Sequence, residues 1–178
     1  NEIPKALQQL EKIVKQVLDD QKFPFVLGGE HSITIGAIRP FLKKYDNLIL
    51  LHFDAHADLR NGYHGEHYSH ASAIRRCLDQ ANLKVVSVGI RNISAEEIPF
   101  VEENRERIRI YWGKDKKKWD IDEIVSHLKD LPIYLTFDVD GFDSSVMPAT
   151  GTPEPGGLFW QDVIEIITAA SQVGTIVG

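Results

Sequence analysis

Six side chains able to hold a divalent ion fall in three short clusters. They are His31, then Asp54, His56 and Asp58, then Asp138 and Asp140. Each cluster follows an apolar run: Phe23–Leu27, Leu48–Phe53 and Pro132–Phe137. Runs of that length and composition predict buried strands. If the chain stays extended beyond them, residues two apart project to the same side. Asp54, His56 and Asp58 would then form one set, and Asp138 and Asp140 a second. Adjacent parallel strands bring such sets within about 5 Å of one another. Imidazoles and carboxylates together suit hard or borderline ions such as Mn²⁺ or Zn²⁺. Four carboxylates and two imidazoles crowded together are unfavourable without cations. Because carboxylates can bridge, six ligands suffice for two ions with room for water. A single Asp after a strand commonly caps the next helix. Its recurrence at two predicted strand ends, with imidazoles at two of the three, favours ligands.

The elements that must position these residues alternate in type. Ile3–Asp20 has helical apolar spacing at Leu7, Leu10, Ile13, Val14, Val17 and Leu18. After the Phe23–Leu27 strand, Gly28-Gly29 predicts a tight exit. A helix over about Ser32–Arg39 is expected to end or bend at Pro40. Further on, helices are predicted over His70–Gln80, Ala95–Asn104, Asp122–Leu128 (capped by Asp120 or Asp122) and Trp160–Ala170. Strands are predicted over Val85–Val88, Arg107–Tyr111 and from Thr175. Lys114–Lys118 reads as a solvated turn, Asn61–Ser69 as a polar loop and Val146–Gly157 as a Pro/Gly-rich loop. This alternation predicts a single α/β domain over residues 1–178, with a mostly parallel sheet and helices on both faces. Both ends read as cut: the chain opens directly into a helix pattern and closes as a strand begins.

Composition narrows the function classes. With 43% hydrophobic and 26% charged residues and a formal net charge of −6, the chain reads as globular, with no basic stripe for nucleic acid and no run long enough for a membrane span. The one cysteine, Cys77, excludes an internal disulfide and fits a reducing, cytoplasmic setting. His52 reads as a core histidine inside its strand, and Trp112 and Trp119 as packing residues. His127 and Cys77 have no sequence neighbours that point to chemistry.

The segments GGEHSIT (Gly28–Thr34), FDAHADLR (Phe53–Arg60), SHAS (Ser69–Ser72) and FDVDGFDSSVMPATGTPEPGG (Phe137–Gly157) together resemble the ureohydrolase family of arginases and agmatinases. The resemblance implies a three-layer αβα, arginase-like fold and two Mn²⁺ per subunit. His31, Asp54, Asp58 and Asp138 would hold one ion. Asp54, His56, Asp138 and Asp140 would hold the other, with Asp54 and Asp138 shared. Water between two such cations loses its proton near neutral pH and can attack a guanidinium carbon. The amine leaves well only when protonated. His64, His67 and His70 all lie near enough in sequence to supply that proton, and imidazole as a class suits the task. SHAS matches the family's shuttle motif and favours His70. The resemblance further implies a homo-oligomer, trimer or hexamer, and a glutamate that grips the guanidinium from a strand a few residues past Gly178.

The substrate is narrowed by departures from the arginase pattern. Arg60 stands where arginases carry an asparagine that reads the α-carboxylate. The loop GIRNIS has Ser94 near the position of the aspartate that reads the α-amino group. Both argue against arginine and for agmatine, converted to putrescine and urea in polyamine formation, with Thr152 and Glu154 lining the pocket. Other guanidino substrates (guanidinobutyrate, guanidine, formiminoglutamate) and a non-catalytic regulatory homologue are the competing readings.

Overall fold

The computed structural model describes residues 2–80 and 82–178. Helix α1 (Glu2–Asp19) packs on α2 (Ile33–Lys44), strand β1 is Ile49–Phe53, and a short α3 (Ala73–Cys77) precedes β2 (Lys84–Ile90). Then follow α4 (Ile98–Glu103), β3 (Ile108–Trp112), α5 (Ile121–Ser126), β4 (Pro132–Phe137), α6 (Trp160–Val173) and β5 (Thr175–Ile176). The five strands form one all-parallel sheet in the order β3-β2-β1-β4-β5.

The alternation of side chains along β1 divides the core. Leu50 faces one cluster with Val14 and Leu18 of α1 and Ala37, Ile38 and Phe41 of α2. Ile49, Leu51 and Phe53 face the other, with Ile124 and Val125 of α5 and Val163, Ile166 and Ala170 of α6. All five β1 residues are buried, as a strand sandwiched between helical layers requires. The expected αβα layering is therefore present. From β1 the chain builds outward through β2 and β3, then returns with β4 to the opposite side of β1. The crevice at the carboxyl ends of β1 and β4 is thus the point where strand order reverses, the usual ligand position in such sheets.

Several local expectations need correction. Phe23–Leu27 forms no strand: it pairs with none of the described strands, so its β-favouring residues make no ladder. Phe25 and Leu27 stand largely in solvent, 78% and 84% exposed. Helix α2 does not stop at Pro40 but continues to Lys44. Phe41, fully buried and edge-on to Tyr134 at 4.9 Å, supplies a packing reason for the helix to continue despite the missing N–H. Residues 70–72 form a 3-10 turn before α3, and α3 ends at Cys77 rather than near Gln80. Helix α4 starts at Ile98, three residues later than expected. The solvated turn expected over Lys114–Lys118 takes the form of a 3-10 turn over residues 113–118. Asp120 caps α5, accepting from the Asp122 N–H at 3.0 Å.

Candidate metal centre

The ends of β1 and β4 are stitched together before any side chain is considered. The Asp138 N–H donates to the Phe53 carbonyl at 2.9 Å and the Asp54 N–H to that of Val88 at 3.3 Å. Gly141 permits the close approach, since a Cβ there would stand 3.0 Å from the Asp54 nitrogen. Beyond these strands the chain does not remain extended. Asp58 adopts a left-handed backbone (φ 53), which Asp tolerates better than most residues. A 3-10 turn over Val139–Gly141 separates Asp138 from Asp140. The residues that the simple alternation singles out are thus gathered by a different geometry: turns, not extension, bring them together.

The gathered side chains line a cavity of about 210 Å³, which includes His31, Asp54, His56, Asp58, Asp138, Asp140, His70 and Thr152. His31 Nδ1 lies 3.0 Å from an Asp54 oxygen, 2.9 Å from one of Asp58 and 3.6 Å from one of Asp138. None of these contacts has hydrogen-bond alignment, so this buried nitrogen is left without a hydrogen-bond partner. His31 Nε2 meets Thr136 Oγ1 at 3.1 Å. An imidazole anchored through one nitrogen, with the other aimed among three carboxylates, is the usual stance of a metal ligand. On the other side of Asp54, His56 Nδ1 lies 3.5 Å from Asp54 Oδ1 and 3.1 Å from Asp140 Oδ2. Two sets of ligand atoms, each within 4.8 Å, share Asp54: one with His31 and His52, the other with His56 and Asp140. The donor set is therefore of a kind that can hold a metal ion.

The charges in this centre perturb one another. Burial lowers the His31 imidazole, yet the Asp54 and Asp58 carboxylates outweigh it and hold it well above its ordinary value. Burial likewise opposes the His56 cation, but Asp140 and Asp54 raise it to about 10. Burial works against the Asp54 carboxylate, and contacts with His31, His52 and His56 nevertheless keep it well below the usual carboxylate range. Burial and the neighbouring Asp54 charge push Asp58 up to about 7. The same two causes raise Asp138. Protons on imidazoles and carboxylates are here the stand-ins for cations.

His52 is buried as expected, but it is not an inert packing residue. Its Nδ1 meets Ser87 Oγ at 3.0 Å and its Nε2 meets Asp54 Oδ2 at 2.9 Å. Asp54 Oδ1 accepts the His56 N–H at 2.7 Å. Both oxygens of the shared carboxylate are thereby oriented. The signal was present in HFD, an imidazole two residues before the Asp on the same side of a strand. It was masked because a strand-borne histidine in an apolar run also reads as core.

Of the three loop histidines, His70 alone lines the cavity. It sits exposed, its ring at right angles to Tyr63 at 5.7 Å. His67 packs against Arg76, and His64 against Tyr63 at 4.1 Å. Thr152 Oγ1 donates to Asp140 Oδ2 at 3.1 Å. Glu154 accepts from Asn92 Nδ2 at 2.6 Å and lies 4.0 Å from His56 Nε2. Arg60 pairs with Glu96 and lies over the Tyr63 ring at 5.2 Å. The sequence reading passed over buried Glu97, which accepts the Leu59 N–H at 2.8 Å and both the N–H and the hydroxyl of Ser94 at 2.7 Å. It thereby holds the left-handed turn at Asp58 against the GIRNIS loop.

The family model described as "Arginase family" matches residues 1–178. The chain is 35% identical over 170 residues to an agmatinase of Bacillus cereus, covering 93% of this chain and 56% of the relative. It is 33% identical over 165 residues to an N(1)-aminopropylagmatine ureohydrolase of Synechocystis, covering 90% and 53% respectively. Among solved structures, the agmatine ureohydrolase of Thermoplasma volcanium superposes with a TM-score of 0.81 at 35% identity, over 97% of this chain and 59% of that one. The chain spans about half the length of the curated relatives it matches.

Proposed function

The chain belongs to the arginase family, and on that premise we propose that the whole protein is a two-manganese ureohydrolase that cleaves agmatine to putrescine and urea. The observation that carries this reading is the buried His31 Nδ1 set 2.9–3.6 Å from three carboxylates. The agmatinase and agmatine ureohydrolase relatives support the substrate class.

In this reading His31, Asp54, Asp58 and Asp138 hold one ion, and Asp54, His56, Asp138 and Asp140 the other. Bound Mn²⁺ would supply acidified water and charge stabilisation at the guanidinium carbon. The remaining work belongs to the chain. His52 and the His56 N–H orient Asp54, and Thr152 steadies Asp140. His70, exposed on the cavity wall, carries a proton on a ring nitrogen to the departing amine. Glu154, braced by Asn92 beside His56, offers a negative charge to a cationic substrate. Arg60 is already engaged by Glu96, which suits a substrate without a carboxylate to satisfy. The product amine places the reaction in polyamine formation, and the family relation favours a trimeric or hexameric assembly.

A second substrate, aminopropylagmatine, is supported by the Synechocystis relative. Urea release by the whole protein with Mn²⁺, measured on agmatine, aminopropylagmatine, guanidinobutyrate and arginine, tests the reading. Agmatine is expected to be turned over with the highest kcat/KM. Turnover of none of the four would overturn the assignment, and a preference for aminopropylagmatine would move it to the second substrate.

A further inference from the structure

Arg91, at the exit of β2, neither lines the cavity nor belongs to either set of ligand atoms. Its guanidinium nevertheless meets six backbone carbonyls. Nε donates to Pro155 at 3.1 Å, and Nη1 to Gly89 at 3.1 Å and Gly141 at 3.4 Å. Nη2 donates to Asp140 at 2.7 Å, Phe142 at 3.0 Å and Glu154 at 2.7 Å. These carbonyls come from three separate segments: the end of β2, the turn carrying Asp140, and the loop carrying Glu154. Three successive carbonyls, at residues 140–142, converge on one cation. Gly141 also accepts the Leu158 N–H at 3.0 Å, but without the cation the three carbonyls would set their dipoles against one another. Five N–H groups in a rigid planar fork can serve such a set; three hydrogens on one ammonium cannot. The surroundings are shaped for the fork, since a Cβ on Gly157 would stand 2.7 Å from Nη2.

We infer that Arg91 is a positioning residue that locks the Asp140 turn to the 152–155 loop, so that the ion-holding and substrate-holding walls keep one geometry. Two side-chain contacts cross the same seam: Thr152 to Asp140, and Asn92, next in sequence to Arg91, to Glu154. Among Asp54, Asp58, Asp138 and Asp140, only Asp140 is gripped through its own backbone carbonyl by this cation. Loss of the fork therefore acts on the ion beside Asp140 and His56 and on the substrate loop. The ion beside His31 and Asp58 is spared. The inference rests on the two-ion reading above.

Titration of the metal-stripped whole protein with Mn²⁺ by calorimetry, for wild type, Arg91→Lys and Arg91→Met, tests it, with agmatine kinetics alongside. In both variants one binding step is expected to weaken about 10–100-fold while the other stays in place. KM should rise, and kcat should recover at saturating Mn²⁺. Arg91→Lys should regain part of what Arg91→Met loses. If the variants fail to fold, as judged by circular dichroism, Gly157→Ala, whose Cβ presses on the Phe142–Asp143 backbone at 2.6 Å and on Nη2 at 2.7 Å and so strains the same seam with the cation in place, is expected to weaken the same single step. Equal weakening of both steps, or of neither, in a folded variant overturns the role of Arg91 alone. A wild-type protein that takes up no Mn²⁺ overturns this role together with the ureohydrolase reading.

Discussion

Two hollows meet at the end of β4, and they share His31 and Asp138. One is the cavity of about 210 Å³ described above, walled by carboxylates and imidazoles that orient one another. The other, about 590 Å³, is a groove along the outer side of β4, lined by Phe23, Phe25, Leu27, Leu135 and Phe137. In the first, nearly every polar atom has an assigned neighbour, and buried charge makes the geometry specific. In the second most side chains are apolar, Phe25 and Leu27 stand in solvent, and residues 22–29 contribute no ladder hydrogen bonds. The same strand thus ends in a site held by electrostatics on one side and an uncommitted apolar surface on the other. Chemistry needs the first kind of region, because only directional interactions fix ligand atoms to fractions of an ångström.

The contrast predicts unequal responses to substitution. The largest is expected for Asp54→Asn. Asp54 is common to both ligand sets and is the acceptor for His52, so Mn²⁺ affinity should fall more than about 100-fold. Calorimetry that gave two ions bound at wild-type affinity would show that the polar hollow is not where metal is held.

Next in size is the effect of metal itself. Metal-stripped protein keeps four carboxylates together with only protons to offset them. Mn²⁺ at about 100 times its dissociation constant should add about 2.7 kcal/mol of stability. The thermal midpoint should rise by about 5–10 °C. An unchanged midpoint on adding Mn²⁺ would mean that the acidic cluster is stable without cations.

The smallest effect belongs to the groove. Phe25→Ser and Leu27→Ser remove side chains that are mostly in water, so stability should change by no more than about 0.5 kcal/mol. Mn²⁺ affinity should stay put, while binding of an apolar dye such as ANS falls. A shift in Mn²⁺ affinity would show that the two hollows are coupled through β4 and would collapse the comparison.

The sequence alone determined the layered α/β architecture, because buried strands between helical layers must be continuous apolar runs, and it singled out the ligand-type side chains that recur at their ends. Leu48–Phe53 and Pro132–Phe137 were legible for that reason, and their adjacency as β1 and β4 is what brings the Asp54 and Asp138 clusters together. Phe23–Leu27 has the same local pattern but pairs with none of the described strands, and a strand exists only as a pair; local propensity cannot supply a partner. Tertiary structure alone decided how the ligands converge. The left-handed turn at Asp58, held by Glu97 from a loop 38 residues away, and the 3-10 turn before Asp140, held by Arg91, replace the expected extended chain. It also decided that His52 serves Asp54 and that His70, rather than His64 or His67, faces the cavity. Those outcomes depend on hydrogen bonds between residues far apart in the chain, whose directions exist only once the strands have been laid side by side.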